Sequence, residues 1–148
     1  MKIIEIAVSF IFGLGLTFKV LNWPGSSLFI VLSLTILSYY YFIFSFAIFN
    51  NIKTTGLFKK SSYKNISPVQ IIFSILLGMA LTLIINGITF QIQKWTSEIS
   101  ILIIGLITSL IMLVLYYIFL KKETKNWKAV YLRSFIVIFV GLAVSFIF

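Results

Sequence analysis

The chain has 148 residues, of which 61% are hydrophobic and 10% charged, and its net charge is +9. A soluble domain of that length has too little interior to hide so much apolar surface, so the bilayer is the expected solvent, with room for a single domain over residues 1–148. There is no cysteine and no histidine, which excludes disulfides, thiolate metal sites and imidazole general bases.

About 20 apolar residues cross a hydrocarbon core, and five segments qualify. The first is Ile3 to Leu21, with Glu5 inside it; lacking a small-x-small cleavage signal, it reads as a retained helix rather than a signal peptide. The turn Asn22-Trp23-Pro24-Gly25 separates it from the second, Leu28 to Phe49, which is wholly uncharged. A connection bearing Lys53, Lys59, Lys60 and Lys64 leads to the third, Pro68 to about Ile92, opened by a proline at a tolerated helix start. A short turn balancing Lys94 against Glu98 leads to the fourth, Ile101 to Leu120. Lys121, Lys122, Lys125 and Lys128, set against Glu123, precede the fifth, about Ala129 to Phe148, which carries Arg133 near its start. The expected fold is all-α: a polytopic bundle of about five transmembrane helices.

Charge orients the bundle. Counting Lys2 and Arg133, ten of the twelve basic residues fall on the side of the N-terminus, which the positive-inside rule places in the cytoplasm, with the C-terminus outside. The basic surplus is therefore read as topology, not as a nucleic-acid site. Trp23 and Trp95 fall at the outer boundary and Trp127 at the inner one; Tyr39, Tyr40, Tyr41, Tyr116 and Tyr117 lie toward the inner side, all as interfacial anchors. Lys19 snorkels outward from the end of its helix, or serves as an intramembrane charge.

Two internal regularities appear. Gly15, Thr17, Phe18 and Trp23 match Gly87, Thr89, Phe90 and Trp95 without gaps, so spans one and two read as a hairpin repeated in parallel as spans three and four. Separately, the three outward-running spans each carry a series at four-residue spacing: Glu5, Ser9, Gly13, Thr17; Gln70, Ser74, Gly78, Thr82 and then Asn86; Arg133, Val137, Gly141, Ser145. That spacing puts each series on one helical face, and small or hydroxylated residues let helices approach and bond across. The three faces are expected to meet as the interior, packing the helices or lining a polar path. The turn match needs a shift of 72 residues (Trp23 to Trp95) and the series a shift of 65 (Glu5 to Gln70). Seven extra residues in span three, roughly 10 Å of helix, reconcile them.

Glu5 and Arg133 are the acid and the arginine on these faces. Ionisable groups at such depth seek a partner or water, so the choice is an intramembrane ion pair or two separate interfacial charges. Asn86 acts as helix-to-helix glue or lines a polar path. The acids Glu5, Glu98 and Glu123 lie in different regions and form no catalytic pair, and no phosphate-binding glycine loop follows a strand. No catalytic residue, cofactor or metal is expected.

The stretch Phe18-Lys19, then Trp23-Pro24-Gly25, resembles the N-terminal membrane hairpin of the GldL family, a gliding-motility and type IX secretion protein of Bacteroidota. Asn22 stands where that family has histidine, and the resemblance covers about residues 12 to 45. It implies an inner-membrane component that oligomerises around a partner's helices in a proton-driven motor, with the turn facing the periplasm. The family's second helix carries a glutamate where span two here has no acid, and three further spans follow here in place of a long cytoplasmic region. The hairpin and its orientation carry over; the motor activity does not. The function favoured is a non-enzymatic scaffold or accessory subunit of an assembly in the bacterial inner membrane, as a homo-oligomer or with other membrane proteins. A small transporter or channel is the alternative, and a proton-coupled motor subunit dependent on Glu5 is the third.

Overall fold

A computed structural model describes residues 2–95, 98–120 and 127–147. It consists of five helices: α1 (Lys2–Val20), α2 (Ser26–Phe49), α3 (Pro68–Gln93), α4 (Glu98–Leu120) and α5 (Trp127–Ile147), with two short 3-10 turns at Thr54–Gly56 and Lys60–Tyr63. All five are long and apolar enough to cross a membrane. Their outer surfaces carry exposed side chains such as Phe10, Phe139 and Phe146, an apolar coat far more extensive than water-soluble monomers tolerate. Lys121, Lys122, Glu123 and Lys125 lie outside the described residues.

Local chemistry sets the helix ends. α1 closes with a Schellman turn: Asn22 takes a left-handed conformation (φ 54°), its N–H donates to Lys19 O, and the Trp23 N–H reaches back to Phe18 O at 2.8 Å. The flanking apolar contact of that motif is the Phe18–Trp23 ring pair, 5.1 Å apart edge to face. α3 ends the same way: Lys94 is left-handed (φ 55°), its N–H donates to Gln91 O, Trp95 N–H donates to Phe90 O at 2.9 Å, and the Phe90 and Trp95 rings stand 5.4 Å apart. The Phe-to-Trp spacing of both segments is thus the spacing of a helix cap. Gly25, at φ 85°, turns the chain into α2. α3 opens with a capping box between Ser67 and Gln70, followed by Pro68 in the first turn. A left-handed lysine is strained where glycine is free, so Lys94→Gly should raise stability by about 1 kcal/mol, read as a higher melting temperature in detergent. A lower melting temperature would show that the Lys94 side chain contributes more than its backbone costs.

The helices alternate in direction. α3 is the axis: it packs on α2, α4 and α5, whereas α1 joins the bundle through α2. Of the five helices α3 is the most buried and α1 the least. The core runs along α3 through Leu77, Leu81, Ile84, Ile85, Ile88 and Ile92. Small residues set the close approaches. A Cβ at Gly15 would meet Ile30 on α2 at 2.9–3.0 Å, and one at Gly87 would meet the backbone of Leu102 on α4 at 2.6 Å. Lys53, Lys59, Lys60 and Lys64 all lie at the end of the bundle where α1 begins, while Trp23 and Trp95 lie at the other.

Candidate functional site

The structure brings Glu5 and Arg133 together. Arg133 Nη2 stands 3.3 Å from Glu5 Oε2, and the two side chains are 17% and 16% exposed. Tyr41 from α2 donates its hydroxyl to Glu5 Oε1 at 3.0 Å. Arg133 Nη1 donates to Ile48 O at 3.1 Å, in the last turn of α2. Helix polarity favours this arrangement: Glu5 sits in the first turn of α1, where anions are stabilised, and Arg133 meets the carbonyl end of α2, where cations are. The cluster ties together three helices, α1, α2 and α5.

Beyond the ion pair, α1 and α5 do not close on each other. A cleft of about 670 Å³ opens between α1, α2, α3 and α5, with Glu5, Tyr41 and Arg133 at one end and Phe12, Leu34, Ile85 and Val137 among its walls. That volume lies within the about 300–1,000 Å³ typical of small-molecule sites.

The four-residue series divide by helix. On α3, Gln70, Ser74 and Gly78 are buried. Ser74 donates to Gln70 O at 2.7 Å and accepts from Asn50 Nδ2 at 3.0 Å. Gly78 lies against Ser45 and the Tyr41 carbonyl, and Thr82 shares its hydroxyl between Gly78 O and Ser38 O. Asn86 is half-buried further along. These residues pack α3 onto α2. On α5, Val137 and Gly141 are buried, with Gly141 facing Ile84 of α3, while Ser145 is exposed and bonds its own helix at Leu142 O.

The α1 series corrects the expectation of a shared interior. Ser9 is exposed at the edge of the cleft, Gly13 has nothing within 4 Å of a built Cβ, and Thr17 is exposed and turns its hydroxyl back to Gly13 O. The reason is rotational: four residues advance an α-helix about 40° past a full turn, so the series winds away from the face that Glu5 begins. The glycine that packs α1 is Gly15, against α2. The tyrosine run also departs from a uniform set of anchors. Tyr39 is exposed, but Tyr40 and Tyr41 are buried, and Tyr41 belongs to the charged cluster. Successive residues on a helix point about 100° apart, so a run of three tyrosines necessarily divides between faces. Lys19 is half-buried at the end of α1, and Trp23 is half-exposed beside Pro24 in the turn. Among the described residues no three acidic side chains gather as a metal site. No protein-family model, curated protein or solved structure matches the chain.

Proposed function

We propose that the chain is a non-enzymatic, multi-pass subunit of an assembly in a bacterial inner membrane, with its lysine-rich end in the cytoplasm. The observation that carries this reading is the Glu5–Tyr41–Arg133 cluster, a clamp that pairs its two charges with each other and joins three helices. Both oxygens of the Glu5 carboxylate are engaged inside the bundle, one by Arg133 and one by Tyr41. The matching caps at Trp23 and Trp95, and the Gly15–Ile30 and Gly87–Leu102 approaches displaced by the same 72 residues, support two copies of one hairpin plus a fifth helix. The likeness to the gliding-motility hairpin makes type IX secretion the first assembly to test. Transport is the second reading, favoured by the cleft.

Purification in mild detergent with light-scattering mass measurement tests the choice. A complex of fixed stoichiometry, larger than one chain, with no solute flux in proteoliposomes is the expected result. A monomer that conducts solute would replace this reading with the second. A reporter fused to the C-terminus should be active only outside the cytoplasm.

A further inference from the structure

We propose that the cleft between α1, α2, α3 and α5 holds one acyl chain of an anionic phospholipid from the lysine-rich leaflet, with the lipid phosphate on Arg133. The polarity of the cleft matches such a molecule. Its charged end lies near the termini of α1 and α5, and its apolar part follows Glu5 to Phe12 and Arg133 to Val140, about 10 Å along the helices toward the middle of the bundle. Water is a poor filler: beyond the clamp, Ser9 is the polar side chain on a wall otherwise built from residues such as Phe12, Leu34 and Val137, and a stable water needs two to four polar partners. A transmembrane helix is a poor filler too. The Glu5–Arg133 bridge closes the cleft between α1 and α5 at its charged end, so a helix crossing the full bilayer would collide with it, whereas a lipid tail enters from the side.

Charge selects the headgroup. A guanidinium has five N–H donors; Glu5 and Ile48 O engage one from each terminal nitrogen, which leaves others for a phosphate. Lys53, Lys59, Lys60 and Lys64 stand on the same end of the bundle, all exposed. Among the described residues of that end, Glu5 is the one acid, and Arg133 already pairs with it.

Delipidated protein is titrated with palmitoyl-oleoyl phosphatidylglycerol, and separately with the phosphatidylcholine and phosphatidylethanolamine of the same chains, and bound lipids are counted by native mass spectrometry. One tightly held phosphatidylglycerol is expected, about tenfold tighter than phosphatidylcholine, with Arg133→Gln erasing the preference. Ser9→Phe, which places a bulky ring at the edge of the cleft, should remove the tight site for every headgroup while the fold still melts cooperatively. Lys59→Gln with Lys60→Gln should leave the tight site in place. A wild-type lipid count in Ser9→Phe, equal affinity for the three headgroups, or loss of the site in the loop variant overturns the proposal. Should Arg133→Gln fail to fold, the Ser9→Phe count decides alone. The stoichiometry of protein chains is read in the same spectra, so the lipid site and the assembly reading stand or fall separately.

Discussion

Replacing Arg133 with leucine should destabilise the protein by about 3 kcal/mol, because it strands the Glu5 carboxylate between helices with Tyr41 as its remaining partner. The figure is placed at the low end for a buried pair, since both side chains keep some exposure, 17% and 16%, and the survivor can relax toward the headgroup region. Glu5→Leu should cost a similar amount by leaving the guanidinium held by the Ile48 carbonyl. Removing both charges together should cost less than either single change, because no uncompensated ion remains. Exchanging the two, Glu5→Arg with Arg133→Glu, should restore the pair only in part: a carboxylate at position 133 would face the Ile48 carbonyl, and a cation at position 5 would sit at the N-terminal end of α1. Chemical denaturation in mixed micelles measures all four. Strict additivity of the two leucine substitutions would mean that the bridge contributes nothing and that the two charges act as independent interfacial groups.

The sequence narrowed that pair to two readings, an ion pair or two separate interfacial charges, whereas it misplaced the way α1 packs, and the contrast has a physical basis. In a chain so poor in charge, an acid and an arginine on apolar spans have few partners to choose from, which makes each the other's natural candidate without excluding separate contacts with headgroups. The five helices were legible for a similar reason, since long apolar runs bounded by lysines, Trp-containing turns and Pro68 leave little ambiguity. The described part of the fifth runs from Trp127, against the expected start at about Ala129. Packing faces are another matter. In a soluble helix, polar residues mark the outside; here the exposed Phe10 and the buried Leu77 are both apolar, so hydrophobicity carries no inside-outside signal. Four-residue spacing was a poor substitute on α1, where one neighbouring helix covers one side and the series rotates off it. It served on α3 because α2, α4 and α5 all pack on that helix, so more of its circumference is covered than on α1. Phe18 and Trp23 were legible as a motif, and the structure gives that motif a local role: the same pair at Phe90 and Trp95 caps α3, so the spacing reports helix termination.

The glycines supply the sharpest separation between faces. Gly87→Ala should destabilise the bundle by about 1–3 kcal/mol, because the new methyl would lie 2.6 Å from Leu102 Cα and 2.7 Å from Leu102 N. Those are backbone atoms, so no rotamer change relieves the clash and α3 must move away from α4. Gly15→Ala meets a softer obstacle: its nearest neighbour is the Ile30 Cγ1 atom at 2.9 Å, which can swing aside, with the Ile30 backbone nitrogen next at 3.0 Å. Its cost should fall below that of Gly87→Ala, and it should loosen only the outer helix α1. Gly13→Ala has nothing to meet and should stabilise by up to about 1 kcal/mol through helix propensity. The order of melting temperatures, Gly13→Ala above wild type, then Gly15→Ala, then Gly87→Ala, tests the packing of both hairpins at once. If Gly13→Ala were the most damaging of the three, the α1 series would be buried against a partner helix absent from the single chain, and the small-residue face would belong to the assembly interface. Equal, large losses at Gly15 and Gly87 would mean instead that both hairpins close to the same backbone distance, leaving the two units more alike than the separate approaches at Ile30 and Leu102 imply.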